Sequence, residues 1–169
     1  FEQLFAHTKY LGPLREYPHR SYAFTGVVPS DVGRRGDRAV EALVVARVKR
    51  RQVGLKVLQG MRLMGLIHSL VVKPVAANRL EYEVLVKKSR TSPEVPITEI
   101  GFGVSQILPV LVLCYYAPKR SVIILEQPEI HLHPSAQAGL ADVLIDVVKE
   151  RDVQIIVESH SEHLLRRLQ

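Results

Sequence analysis

The chain has 169 residues, 47% hydrophobic and 24% charged, which suits one globular domain with a real core and is too short for two comfortable ones. Its longest apolar stretch, Ile107 to Ala117, contains Pro109 and falls short of the ~20 residues that span a bilayer; no basic-then-apolar leader opens the sequence, so a soluble, cytoplasmic protein is expected. Net charge is +6, and the basic clusters Arg34-Arg35 with Arg38, Arg47 to Arg51, and Lys87-Lys88 with Arg90 permit attraction to nucleic acid or phosphate, or are solvated faces.

The first 36 residues are rich in Gly, Pro and aromatics and predict a short strand followed by an extended loop. From Asp37 to about Leu70 the pattern becomes helical, with Asp37 as a candidate cap and breaks near Gly54 and Gly60. The segments Leu70–Pro74 and Leu80–Lys87 alternate apolar with polar residues around Ala77-Asn78-Arg79, which predicts a β-hairpin. Residues Ser89–Pro96 form a polar linker.

Beyond the linker, Gly101-Phe102-Gly103-Val104-Ser105-Gln106 leads into an apolar helix reaching Tyr116, its amino-terminus expected to open at Ser105. That helix holds the only cysteine, Cys114, which reads as a small buried hydrophobe; an intrachain disulfide is impossible, as suits a reducing compartment. Val122-Ile123-Ile124-Leu125 predicts a strand buried on both faces. Pro134 opens a helix to about Glu150, with Leu140, Val143, Leu144, Val147 and Val148 as its apolar stripe. A second buried strand, Val153–Val157, and a final helix, Ser161–Leu168, follow.

Strand, helix and strand at this spacing make a parallel, right-handed βαβ unit. Both strands then end at one edge of the sheet, where open α/β folds bind ligands. Glu126 and Gln127 follow the first strand; Glu158, Ser159 and His160 follow the second. A carboxylate in Glu126's position can hold Mg²⁺ beside nucleotide phosphates, or merely cap the sheet edge. The glycines before Ser105 let a backbone approach a ligand, and a helix amino-terminus presents N–H groups to an anion; ordinary helix entry with a serine cap fits them as well. His160 can donate to a terminal phosphate or serve structurally. A transition-metal site from His131, His133, His160 and His163 is disfavoured, because Pro134 follows His133 and the H-E-x-x-H spacing is absent.

In this order the three elements resemble the ABC-type ATPases, in particular the bacterial AAA-labelled branch related to the SMC and OLD families. The likeness is densest from Gly101 to Leu168 and extends to Tyr10-Leu11-Gly12-Pro13-Leu14-Arg15 and Pro29-Ser30-Asp31-Val32-Gly33. It implies an α/β fold of the P-loop NTPase type: a mainly parallel sheet flanked by helices, with an inserted helical and hairpin region at 37–90 and the functional core at 97–169. It implies further that ATP is sandwiched between two protomers. Glu126 would take the Walker B position on Mg²⁺, Gly103, Ser105 and Gln106 the signature motif on the partner's ATP, and His160 the switch histidine. The loop His131 to Pro134 would cross the homodimer interface.

Two departures qualify that inheritance. Gln127 stands where the pattern places the catalytic glutamate; an amide orients water but takes no proton from it, leaving Glu129 or Glu158 as candidate bases. There is also no G-x-x-x-x-G-K-[ST] loop to cradle phosphates. Residues 1–169 therefore read as the carboxy-terminal part of one ATPase domain, binding ATP poorly on their own. The expected function is Mg²⁺-dependent ATP hydrolysis by the complete dimer, in DNA maintenance or phage defence by family analogy. The rivals are a non-hydrolysing ATP-gated module and a basic nucleic-acid-binding domain with a vestigial ATPase fold.

Overall fold

The structure, a computed structural model, describes residues 7–49, 52–77 and 79–169. Arg50 and Arg51 of the basic run, and Asn78 of the predicted turn, lie outside the described residues. Seven strands and five α-helices are described: β1 (Thr8–Leu11), β2 (Tyr22–Ala23), α1 (Ala39–Lys49), α2 (Gln52–Leu63), β3 (Ser69–Pro74), β4 (Glu81–Lys87), β5 (Val95–Pro96), α3 (Phe102–Tyr116), β6 (Val122–Glu126), α4 (Pro134–Arg151), β7 (Gln154–Glu158) and α5 (Glu162–Leu168). Among them no helix is long and apolar enough to cross a membrane.

The strands form two sheets. The parallel one has the order β1-β6-β7, and the predicted βαβ unit is its β6-α4-β7 part. The other is antiparallel: the β3-β4 hairpin, with β2 and β5 along the far side of β4. The hairpin follows from alternation in the sequence; the pairing of Tyr10 with Ile124 and Leu11 with Leu125 depends on tertiary structure alone.

The core is built around α3, whose residues from Val104 to Tyr116 are all buried. Cys114 lies fully buried there, and burial pushes its thiol up to about 12. Pro109 sits inside α3, where it removes an interior N–H bond. Gly36 packs directly against it: a Cβ on Gly36 would stand 2.4 Å from the Pro109 Cβ, and its φ of +75° already calls for glycine.

Several local expectations change. Gly54 and Gly60 do not break the helix; both lie within α2, where the absence of a side chain at Gly60 lets Leu111 and Val143 close to 3.5 Å of its Cβ position. Asp37 precedes α1 but turns to an ion pair with Arg38 at 3.9 Å. The strand Val122–Leu125 is not buried on both faces. Ile123 and Leu125 are fully buried, whereas Ile124 is half-buried, and in register beside it Tyr10 is 37% and Ile156 56% exposed. Helices thus cover one face of the parallel sheet, and Val153–Val157 likewise alternates instead of being buried throughout. Val148 is 41% exposed because it rotates away from the stripe of Leu140, Val143, Leu144 and Val147.

Candidate active site

Parallel pairing of β6 with β7 brings Glu126 into register with Glu158, so both carboxylates leave the same edge of the sheet. The next residue of each strand stays tied to this edge. The Gln127 N–H donates to the Glu158 carbonyl at 2.8 Å, and the chain then turns sharply, with Gln127 in the left-handed region at φ +45°. Such a conformation costs a non-glycine residue about 1 kcal/mol or more, so neighbours must hold it.

Arg15 is one of them. It is 4% exposed, and its Nη2 donates to the Glu126 carbonyl at 3.0 Å and to the Gln127 carbonyl at 3.1 Å. Burial lowers its pKa to about 10, opposed by the favourable charge of Glu129. Its Nε and Nη1 have no partner.

Glu129 ties the two strand ends together. At 6% exposure, its Oε1 accepts from the Ser159 hydroxyl at 2.7 Å and from the His160 N–H at 3.0 Å, while its Oε2 is buried without a partner. As a water-activating base Glu129 is therefore badly placed: its free oxygen is shut away from solvent, and the other is occupied. Gln137 makes a second tie, accepting from the Ser161 hydroxyl at 2.6 Å and donating to the Leu132 carbonyl at 2.9 Å. His160 itself is exposed at the rim, with His163 beyond it.

The loop from His131 to Pro134 runs beside the start of α3. His131, at φ +65°, packs its ring edge-on against Phe102, centroids 4.8 Å apart. His133 caps α4 by accepting from the Ser135 N–H, and Pro134 occupies the first helical turn, as its fixed φ favours. Gly103 is required by this contact: a Cβ there would meet the His131 carbonyl oxygen at 2.6 Å.

Helix α3 opens at Phe102, three residues before the expected start, and that changes the surroundings of Ser105 and Gln106. Ser105 is 7% and Gln106 3% exposed, since both fall on the inner side of the first turns. The Ser105 hydroxyl donates to the Phe102 carbonyl at 2.8 Å, and Gln106 Nε2 to the Glu16 carbonyl at 3.4 Å. The surface of this helix start consists of Gly101 and Phe102, with Gly103 half-exposed.

On the open sheet face, the Tyr10 hydroxyl lies within hydrogen-bonding reach of the Glu126 carboxylate, which raises its pKa, with desolvation adding to the shift. Glu126 and Glu158 offer hard oxygen donors suited to Mg²⁺, which takes one or two carboxylates and completes its shell with phosphate and water. Among the described residues no group of three or more His, Cys, Asp or Glu side chains could hold a metal alone.

Sequence reasoning singled out both strand ends but missed Arg15, Gln137 and Tyr10. Arg15 and Tyr10 belong to a segment whose place beside β6 only the fold reveals, and Gln137 reads as one more polar position of α4.

The model of the AAA ATPase domain family matches residues 56–165. No curated protein matches the sequence. Three of the similar solved structures are SMC heads. One comes from work on ATP-driven dimerization and DNA-stimulated activation of SMC ATPases: it is 15% identical, with a TM-score of 0.55 over 74% of this chain and 76% of that one. An SMC head domain with an extended coiled coil, bound to the C-terminal domain of ScpA from Pyrococcus furiosus, is 13% identical with a TM-score of 0.56, over 75% of this chain and 32% of that one. An SMC head bound to the C-terminal winged-helix domain of ScpA is 13% identical with a TM-score of 0.57, over 75% and 40%. At such identities the likeness is one of fold, that of SMC head domains, and the chain spans less than half the length of the last two.

Proposed function

The chain belongs to the AAA ATPase domain family, and from that premise we propose that the complete protein binds and hydrolyses ATP at the shared edge of β6 and β7. The observation that carries this reading is the register of Glu126 with Glu158, which sets an acidic pair and the exposed His160 at neighbouring, like-directed strand ends. Glu126, with Glu158 beside it, would hold Mg²⁺, which supplies charge neutralisation of the phosphates. Gln127 orients the attacking water through its amide, and His160 donates to the terminal phosphate. Glu129 positions His160 through the backbone bond between them. Gly101, Phe102 and Gly103 offer the accessible start of α3 to a nucleotide held by a second protomer, with His131 to Pro134 at that interface; Ser105 and Gln106 act from inside.

The experiment is steady-state ATP turnover by the full-length protein. Glu126→Ala and His160→Ala are each expected to lower kcat by about tenfold or more. Unchanged rates in both would remove the proposal. DNA belongs in the assay as an activator, since one similar SMC ATPase comes from a study of DNA-stimulated activation.

A second reading, an ATP-gated module that closes without hydrolysis, is favoured by Gln127, whose amide is too weak a base to take a proton from water and whose backbone N–H and carbonyl are both hydrogen-bonded. Gln127→Glu separates the two: a large gain in turnover would identify the gated module, whereas a hydrolase that uses the amide to orient water would gain little.

A further inference from the structure

The β1 end and the loop after it, residues 11–16, are fixed by three hydrogen bonds to the 34–35 segment and to α3. Gly12 N–H donates to the Arg34 carbonyl at 2.9 Å, Glu16 N–H to the Arg35 carbonyl at 2.8 Å, and the Glu16 carbonyl accepts from Gln106 of α3 at 3.4 Å. Arg15 lies in the middle of this braced segment and reaches the two carbonyls that bound the Glu126–Gln127 peptide. From the other side, the Glu158 carbonyl receives the Gln127 N–H. Gln127, at φ +45°, is thus held between β7 and Arg15, with the Ile130 N–H also donating to its carbonyl at 3.2 Å.

A buried arginine is an expensive way to satisfy two carbonyls. Water or a backbone N–H would do it without desolvating a charge, and here two guanidinium nitrogens remain unpaired. What an arginine adds is a planar guanidinium on a braced segment, whose Nη2 alone carries two N–H donors and fixes two successive peptide carbonyls at once. Its charge is balanced by Glu129, the residue that holds Ser159 and His160. Gln106, Glu16, Arg15, Gln127 and Glu129 consequently form a continuous path from the start of α3 to both strand ends.

We propose that Arg15 is a positioning residue: it holds Gln127 in its left-handed turn and so sets the direction of the Glu126 and Gln127 side chains relative to the start of α3. Its consequence for turnover rests on the ATPase reading above; the clamp itself does not.

The test has two arms, both on the full-length protein. The first is a double-mutant cycle in stability, without nucleotide, between Arg15→Met and Gln127→Gly. Glycine adopts the left-handed turn unaided, so the loss of denaturation midpoint caused by Arg15→Met should shrink by about half or more in the Gln127→Gly background. Where Arg15→Met fails to fold because it strands Glu129, the same cycle in a Glu129→Gln background decides. Equal losses in both backgrounds would show that Arg15 only fills space, and would overturn the proposal whether or not the protein hydrolyses ATP. The second arm is kinetic. Arg15→Met should lower kcat by about tenfold or more with KM for ATP within about threefold, and Arg15→Lys, whose ammonium can still donate to both carbonyls, should recover part of the loss. An unchanged kcat, or a KM that rises as much as kcat falls, would count against Arg15 even where Glu126→Ala is inactive. A wild-type protein without turnover would sink the hydrolytic reading and leave the first arm to judge the clamp.

Discussion

Glu129 and Arg15 are charged, nearly fully buried, and joined by favourable electrostatics instead of a direct ion pair. Removing one member of such a couple costs more than the bonds it makes, because the other is left as an uncompensated buried charge. Glu129→Ala is therefore expected to destabilise by about 3–5 kcal/mol. Glu129→Gln keeps an oxygen for the Ser159 and His160 donors and should cost less, about 1–3 kcal/mol. Urea denaturation of the three proteins checks the order; equal losses would mean that the charge has no part. The strand-end clusters that carry Glu126 and His160 were legible in the sequence, because polar residues follow each apolar run within a few positions, a local pattern. Arg15 was not, since nothing local marks a loop arginine as the residue that will lie 111 positions away under a strand end. Ser105 and Gln106 were legible as residues of a helix start but not as buried ones: a shift of three residues in where the helix begins turns their side chains from solvent to core.

For the elements, the limit of the sequence is plainest in β6. A run of four apolar residues is compatible with burial on both faces or on one, because periodicity vanishes when every position is apolar. The structure resolves it through the neighbours, Ile123 being fully buried and Ile156, on the opposite face of β7, 56% exposed. Ile123→Ser should therefore cost about 3 kcal/mol or more and Ile156→Ser under about 1 kcal/mol in the 169-residue chain. Comparable losses would mean that the second face is covered after all. Helix α3 makes a pH prediction as well. The Cys114 thiol, pushed up to about 12 by burial, stays neutral in the fold while the unfolded chain ionises above about pH 8.5. The unfolded state then binds fewer protons, so stability falls as pH rises between those values, by up to about 1.4 kcal/mol per pH unit for this group. Cys114→Ala should flatten the alkaline decline relative to the wild type, although Tyr115, whose hydroxyl is also raised by burial, continues to contribute. A decline of the same slope in both proteins would place the titrating group elsewhere.

At the scale of the whole molecule, the distribution of charge bears on what the 169 residues can do alone. The net charge of +6 suggests an attractive surface for ATP. Several of its cations are already paired with carboxylates and have less to offer a phosphate: Arg35 pairs with Glu16, Arg38 with Asp31 and Asp37, Lys56 with Glu150, Lys73 with Glu83, and Arg167 with Asp142. The candidate edge itself carries Glu126 and Glu158 side by side, and no lysine or arginine is among the residues proposed to touch nucleotide. A triphosphate brought to that edge meets two carboxylates before it meets a cation, so a divalent ion must bridge them. Calorimetry on residues 1–169 is therefore expected to give a Kd for ATP weaker than about 1 mM, improved by Mg²⁺ and lost on chelation. Were a longer protein to add a phosphate-cradling lysine loop, it should bind at least about tenfold more tightly, with Glu126→Ala abolishing the Mg²⁺ dependence in both. Micromolar binding by the 169 residues without a divalent ion would require a cationic pocket that this edge does not possess, and would move the nucleotide site away from β6 and β7.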